Sequence, residues 1–298
     1  MPTEAADPRF VDIDEWPTTM AVGAMLEGQL AAVAAIHSQV DLIARAADAA
    51  AARLRQGGRL VYAGAGTSGR IAVQDGVELT PTYGWPSERL IFILAGGQTA
   101  MMASVEGAED DAANARSAVA AERIGPTDVV IGVAASGRTP FTIAAVEAAR
   151  LAGALTIGIA NNPDTPLCAA SEIAIVADTG SEAIAGSTRM KAGTAQKVIL
   201  NLFSTATMLR AGLVYRGLMV NMKVSNDKLA DRAVAMVAGI AEVDRDRAAA
   251  ALAAAGKGIK PAVLVACGAS MAEATSLLAD VHGDLRSALT AWHGAKAS

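Results

Sequence analysis

The chain has 298 residues, 52% of them apolar and only 3% aromatic, and a formal net charge of −5. That length suits one α/β domain with a smaller appendage, and a core of Ala, Val, Ile and Leu suits helices packed closely on a parallel sheet. The acidic balance and the lack of a basic block argue against nucleic acid or an anionic membrane as the main partner, and two cysteines, Cys168 and Cys267, argue against a disulfide framework or a structural zinc.

Residues 1–16 read as an extended, acidic arm ending at Trp16-Pro17. The arm has neither the basic start nor the apolar run of a signal peptide, so a cytoplasmic, reducing location is expected. From Thr18 to Gln56 the spacing of Met20, Val22, Leu26, Leu30, Val33, Ile36, Val40, Ile43 and Leu54 predicts helices, which Gly57-Gly58 stops. Charges at Asp41, Arg45 and Asp48 interrupt this stretch, so no membrane span of about 20 residues is expected.

Strands are predicted at Arg59–Ala63, Arg89–Leu94, Asp128–Val133, Leu155–Ala160 and Ile173–Val176, with helix-length segments between them. Five strands with helical crossovers give a doubly wound, five-stranded parallel sheet. Thr188–Gly212 reads as one long helix and Leu213–Met222 as a connector broken at Gly217. The division expected is therefore a ligand-binding domain over 1–222, with its core at about 50–213, and an all-helical subdomain over 223–298. Within that tail, Leu252-Ala253 … Gly258-Ile259-Lys260 and Leu278-Ala279 … Asp284-Leu285-Arg286 align at an offset of 26 residues. A short helical repeat and a chance likeness of two Ala/Leu helices explain this equally well.

Two loops carry the chemistry. Gly64-Ala65-Gly66-Thr67-Ser68-Gly69-Arg70 and Ala134-Ala135-Ser136-Gly137-Arg138-Thr139, about 70 residues apart, each follow a strand and lead into a helix. Glycines allow the backbone to approach a ligand, and a helix N-terminus offers unpaired N–H groups to an anion, so a pair of such loops points to one phosphorylated ligand. Their Ser and Thr residues also suit ordinary helix capping, which uses the same N–H groups. Acids recur at Asp75 and Glu78 and in Glu106-Gly107-Ala108-Glu109-Asp110-Asp111. A third segment, Ser181 to Lys197, contains Glu182, Ser187, Arg189 and Lys191 ahead of and within a helix start, where cations oppose the helix dipole and call for an anion nearby. His37, His282 and His293 are scattered, so neither a metal site nor a Ser-His-Asp triad is supported, and the first loop lacks the distal acid of a dinucleotide fingerprint.

The two loops, Pro81-Thr82-Tyr83-Gly84, Ala95-Gly96-Gly97, Val105 to Asp110, Gly186 to Lys197 and Asn226-Asp227-Lys228-Leu229 together resemble the N-acetylmuramic acid 6-phosphate etherases, of the sugar isomerase (SIS) fold. The resemblance covers roughly residues 18–290. Thr3-Glu4 and Ile13-Asp14 fit the family's opening, but Asp7 stands where Asn is usual, which leaves the arm's role open. The resemblance implies a cytoplasmic homodimer that cleaves the lactyl ether of a phosphorylated amino sugar without metal or organic cofactor. It also implies Glu78 as the acid that protonates the departing lactate and Glu109 as the base at C2. Gly66, Thr67, Ser68, Arg70, Ser136, Gly137, Arg138, Thr139, Glu182, Ser187 and Lys191 are the expected substrate and phosphate contacts. An aldose–ketose isomerase of the same fold is disfavoured because Ser187–Arg210 contains no Asp or Glu. A non-catalytic sugar-phosphate sensor would not need Glu78 and Glu109.

Overall fold

A computed structural model describes residues 1–297. Two compact units emerge, one of residues 1–77 and 88–207, the other of residues 78–87 and 208–298. The first begins with helices α1 (Thr18–Ala34) and α2 (Val40–Arg55). It continues through β1 (Leu60–Gly64) and α3 (Gly66–Val77). The short α4 (Leu79–Tyr83) belongs to the second unit. The first resumes with β2 (Leu90–Leu94), α5 (Ala112–Ala121), β3 (Val129–Val133) and α6 (Pro140–Leu151). Then come β4 (Leu155–Ala160), α7 (Pro166–Ala170), β5 (Ile173–Val176) and α8 (Lys191–Arg210).

All five predicted strands form, each within a residue of its expected start and end, and all pair in parallel in the order β2-β1-β3-β4-β5. Strands β1, β3 and β4 are wholly buried, as befits a sheet with helices on both faces. On one side Val61, Ala63, Ile91, Ile93 and Val130 pack against Ala115 and Val119 of α5 and Phe141, Ala144 and Ala145 of α6. The small side chains expected from the composition are what let those helices approach.

At the amino ends of the strands, Arg59 and Asp128 form an ion pair (Nη2–Oδ2 2.7 Å). Asp128 also accepts from the backbone N–H groups of Arg59 and Gly125, both at 3.0 Å. Burial pushes its carboxyl pKa up, but the Arg59 guanidinium and these N–H donors outweigh it and hold the group below its ordinary value. Asp75 differs: burial raises its pKa although Asn201, Ser204 and Tyr62 all donate to it.

The arm is not extended. It winds into three 3-10 turns, Pro2–Glu4, Pro8–Phe10 and Ile13–Glu15, two of them started by a proline whose φ suits a turn. The expectation of no membrane-length segment also needs correction. Thr18–Arg55 passes by length and composition, an 18-residue window within it having a mean hydropathy of 1.5, because Asp41, Arg45 and Asp48 all fall in α2 and leave Glu27 as the one charge in α1.

The second unit contains α9 (Asp227–Ala241), α10 (Arg245–Ala254), α11 (Ile259–Ala266), α12 (Met271–Asp280) and α13 (Leu285–Ala297). Its division from the first unit falls near residue 207 rather than at 222. The connector explains the difference: Tyr215, Val220 and Met222 are buried with Met236, Val237, Leu252, Val263 and Leu285 in the helical core. Asn221 also donates to the Tyr83 carbonyl (2.7 Å), which draws 78–87 into this unit.

The offset of 26 residues is structural. Helix starts at 245 and 271, ends at 254 and 280, and next starts at 259 and 285 all obey it. So do the left-handed turn pairs Gly256-Lys257 (φ 56° and 71°) and His282-Gly283 (φ 52° and 78°). Lys260 of α11 donates to the Gly283 carbonyl between α12 and α13 (2.8 Å), and burial lowers its pKa to about 8.

Candidate active site

Strands β1 and β3 lie side by side with Gly64 opposite Val133, so the two glycine-hydroxyl loops emerge at neighbouring strand ends. Connections leave in opposite directions on either side of this point, which is where open α/β sheets bind ligands. The first loop turns at Gly66, whose φ of +52° suits glycine, and α3 starts there with its first N–H groups unpaired within the helix. The second turns at Gly137, with φ +64°, where a Cβ would stand 2.2 Å from Thr165 Oγ1.

Hydroxyls complete the cradle. Ser136 Oγ accepts from the Arg138 backbone N–H (3.1 Å), which leaves its own O–H to donate outward. Thr139 occupies the N-cap position of α6 but makes no side-chain cap bond. With Gly66, Thr67, Ser68 and Arg138 these residues line a cleft of about 440 Å³ that also includes Glu4, Glu109, Asp110, Gly186 and Thr188. Arg138 is the one cation among the lining residues, against the three carboxylates of Glu4, Glu109 and Asp110. Glu109 is exposed in the turn Ala108–Asp110, which Gly107 introduces with φ +69°. Such a site can hold a phosphate on backbone N–H and hydroxyl donors and place a carboxylate beside the rest of the ligand.

The other expected contacts are placed differently. Arg70 donates to the carbonyls of Ala100 (2.8 Å) and Ala103 (3.2 Å) and lines an adjacent cleft of about 360 Å³ with Gly66, Glu106 and Glu109. Gly137 shapes the second loop from a buried position. Ser187 lies between the lining residues Gly186 and Thr188 without lining the cleft itself.

Glu182 is fully buried and its two oxygens accept from the N–H groups of Lys191 (2.9 Å) and Ala192 (3.0 Å) at the start of α8. Glu182 thus places a carboxylate at the start of α8, where the helix dipole favours negative charge. Lys191 Nζ donates to the Ser181 carbonyl (2.9 Å), and Glu182 and Lys191 line a separate, more apolar cleft of about 400 Å³ with Phe10, Trp16 and Met25. Glu78 is exposed at the head of α4, in the segment that belongs to the second unit, and makes no side-chain cap bond there.

Sequence reasoning gave Glu4 and Thr188 no place in the site, and Asn162 none beneath it. The available signals were Thr3-Glu4, noted only as fitting a family opening, and Asn161-Asn162-Pro163 at the carboxyl end of β4. Among the described residues no group of three or more His, Cys, Asp or Glu could hold a metal ion.

Comparison with known proteins bears on the fold and the family. Residues 42–150 match the family described as glucokinase regulatory protein N-terminal SIS domain, and residues 101–206 match the SIS domain family. An E. coli protein solved in complex with A5P superposes with a TM-score of 0.50 at 17% identity, over 67% of this chain and 94% of that one, a likeness of fold alone. Curated relatives are much nearer in sequence. The N-acetylmuramic acid 6-phosphate etherase of Deinococcus radiodurans is 46% identical over 96% of this chain and 94% of its own. The etherase of Streptomyces coelicolor is 45% identical over 97% and 93%. Identity at that level along nearly the whole length, on a SIS-type sheet with its paired loops, shows that the chain belongs to the N-acetylmuramic acid 6-phosphate etherase family.

Proposed function

We propose that this protein cleaves the D-lactyl ether of N-acetylmuramic acid 6-phosphate, giving N-acetylglucosamine 6-phosphate and D-lactate by elimination and rehydration. In the open-chain sugar the C2 proton is α to an aldehyde, so a carboxylate can remove it; the C3 oxygen leaves as lactate once an acid protonates it. Water then adds at C3 of the unsaturated aldehyde, and the proton returns to C2. Glu109 is the base at C2 and Glu78 the acid at the leaving oxygen. Backbone N–H groups of the Gly66 loop, with the Thr67, Ser68, Ser136 and Thr139 hydroxyls and Arg138, hold the phosphate. The observation that carries this reading is Glu109 lining the same cleft as both phosphate loops. Release of D-lactate from N-acetylmuramic acid 6-phosphate by the purified protein tests it, and absence of lactate would overturn it.

The match to a regulatory-protein SIS domain spans residues 42–150, whereas the Deinococcus radiodurans etherase aligns over 96% of the chain, which favours turnover over sensing. The reaction belongs in the cytoplasm, where charge keeps a phosphorylated sugar from crossing the membrane. The homodimer is supported by α1, which leaves Met20, Leu26 and Leu30 exposed at 55%, 58% and 64%. Leu26 and Leu30 fall with Val22 and Val33 on one face of this helix and form an apolar stripe that a second copy would cover. Sedimentation should give a dimer, and Leu26→Lys with Leu30→Glu a monomer; a wild-type monomer, or recovery with membranes, would overturn the assembly.

A further inference from the structure

The start of the chain is fastened to the sheet unit at two places. Thr3 is fully buried and forms a reciprocal pair with Asn162: the Thr3 backbone N–H donates to Oδ1 (3.4 Å) and the Asn162 Nδ2 donates to Thr3 Oγ1 (2.9 Å). The same Nδ2 donates to the Ala135 carbonyl (2.9 Å), the residue before Ser136 in the second loop. Further along, the Asp7 carboxylate accepts from Ser181 Oγ (2.9 Å) and from Arg9. These bonds tie the arm to the second phosphate loop and to the segment that leads into Gly186.

Glu4 stands between the two fastenings. The turn Pro2–Glu4 places it among the residues that line the cleft, with Glu109, Ser68 and Ser136. Its Oε2 reaches to 3.3 Å from where a Cβ on Gly186 would sit, so the glycine leaves the carboxylate its room. Thr3 and Asp7 do the anchoring; among the described residues no hydrogen bond or ion pair holds the Glu4 carboxylate, and its backbone N–H bonds only to the Met1 carbonyl (3.1 Å). An anchored backbone that presents an unengaged carboxylate into a cleft is the arrangement of a recognition group.

The chemistry selects what it recognises. A carboxylate accepts hydrogen bonds and donates none, and it repels a phosphate. Glu4 therefore belongs at the sugar end of the ligand, where hydroxyl and amide N–H groups donate. We propose that Glu4, carried on the N-terminal clasp, accepts hydrogen bonds from the amino sugar and makes the cleft prefer a sugar phosphate to bare phosphate. This rests on the proposed reading of the cleft as a site for a phosphorylated amino sugar.

The test uses the full chain and calorimetry with two probes, N-acetylglucosamine 6-phosphate and inorganic phosphate. Glu4→Ala should weaken the sugar phosphate about 10–100-fold, the usual range for a hydrogen bond to a charged group, and leave inorganic phosphate unchanged or slightly tighter. Glu4→Gln, which keeps an acceptor, should recover part of the loss. Asn162→Ala should weaken sugar phosphate binding, and adding Glu4→Ala to it should cost less than Glu4→Ala does alone. In turnover of N-acetylmuramic acid 6-phosphate, KM should rise more than kcat falls. Equal weakening of both probes would mean a merely structural arm and would overturn the proposal, as would unchanged sugar phosphate binding by Glu4→Ala when the wild type binds it. A wild-type chain that binds neither probe removes the reading of the cleft and the proposal together.

Discussion

The two ends of the parallel sheet treat charge in opposite ways. At the amino ends Asp128 is 3% exposed and all its acceptor capacity is used by Arg59 and two backbone N–H groups. At the carboxyl ends Glu109 is exposed, and among the described residues no hydrogen bond or ion pair holds its carboxylate. A carboxylate held at every oxygen cannot change protonation or partner without loss of stability, whereas an unengaged one is available for proton transfer. Glu182 shows the held arrangement beside the cleft: both of its oxygens accept from N–H groups at the start of α8.

The largest effects should fall on the two carboxylates given the base and acid roles. Glu109→Gln and Glu78→Gln are each expected to lower lactate release by ~10²–10⁴, the range of a positioned acid or base, with thermal unfolding unchanged. Glu182→Gln should do the reverse and lower the melting temperature, because it converts an acceptor of two backbone N–H groups into a mixed donor and acceptor. A stable and inactive Glu182→Gln protein would break the comparison.

The closed end should answer in stability. Asp128→Ala is expected to cost about 3 kcal/mol, since it leaves Arg59 and two N–H groups without their partner. Activity per folded molecule should be kept. The Asp128 pKa is lowered in the folded state, so its stabilisation is present above the unfolded value and is lost as pH falls through the folded one. Urea titrations below about pH 4 should show that loss in the wild type and a flatter profile in Asp128→Asn. Asp75 carries the opposite sign: its raised pKa favours the protonated form in the fold, so its contribution falls away as pH rises through the folded value.

Smaller shifts are expected from the phosphate loops. Removing the Ser136 and Thr139 hydroxyls together should weaken binding of N-acetylglucosamine 6-phosphate by ~1–3 kcal/mol by calorimetry, with little change in unfolding. Unchanged affinity would return both hydroxyls to a structural role and move the phosphate elsewhere in the cleft.

The same contrast explains what could be read from the sequence. The five strands, their order of appearance and both glycine-hydroxyl loops were legible because each signal lies within a few neighbouring residues. Gly66 and Ser136 carry their chemistry in their own local pattern. Arg59 with Asp128 and Thr3 with Asn162 were not legible, since those pairs are 69 and 159 residues apart and meet only after the sheet has formed. The partners of Glu182 were not legible for a related reason: a carboxylate before a cationic helix start suits a ligand site and a cap equally well until its oxygens are located. The boundary at 222 missed the unit division because the connector's Tyr215, Val220 and Met222 are too few to declare a core without the helices they join.

The central claim is that the open end performs elimination and rehydration of the sugar, and solvent labelling tests it most directly. With N-acetylmuramic acid 6-phosphate in deuterated, oxygen-18 water, the sugar product should carry deuterium at C2 and heavy oxygen at C3, while the D-lactate hydroxyl stays unlabelled. Heavy oxygen in the lactate hydroxyl, with protium retained at C2, would mean attack at the lactyl carbon and would contradict the roles given to Glu109 and Glu78.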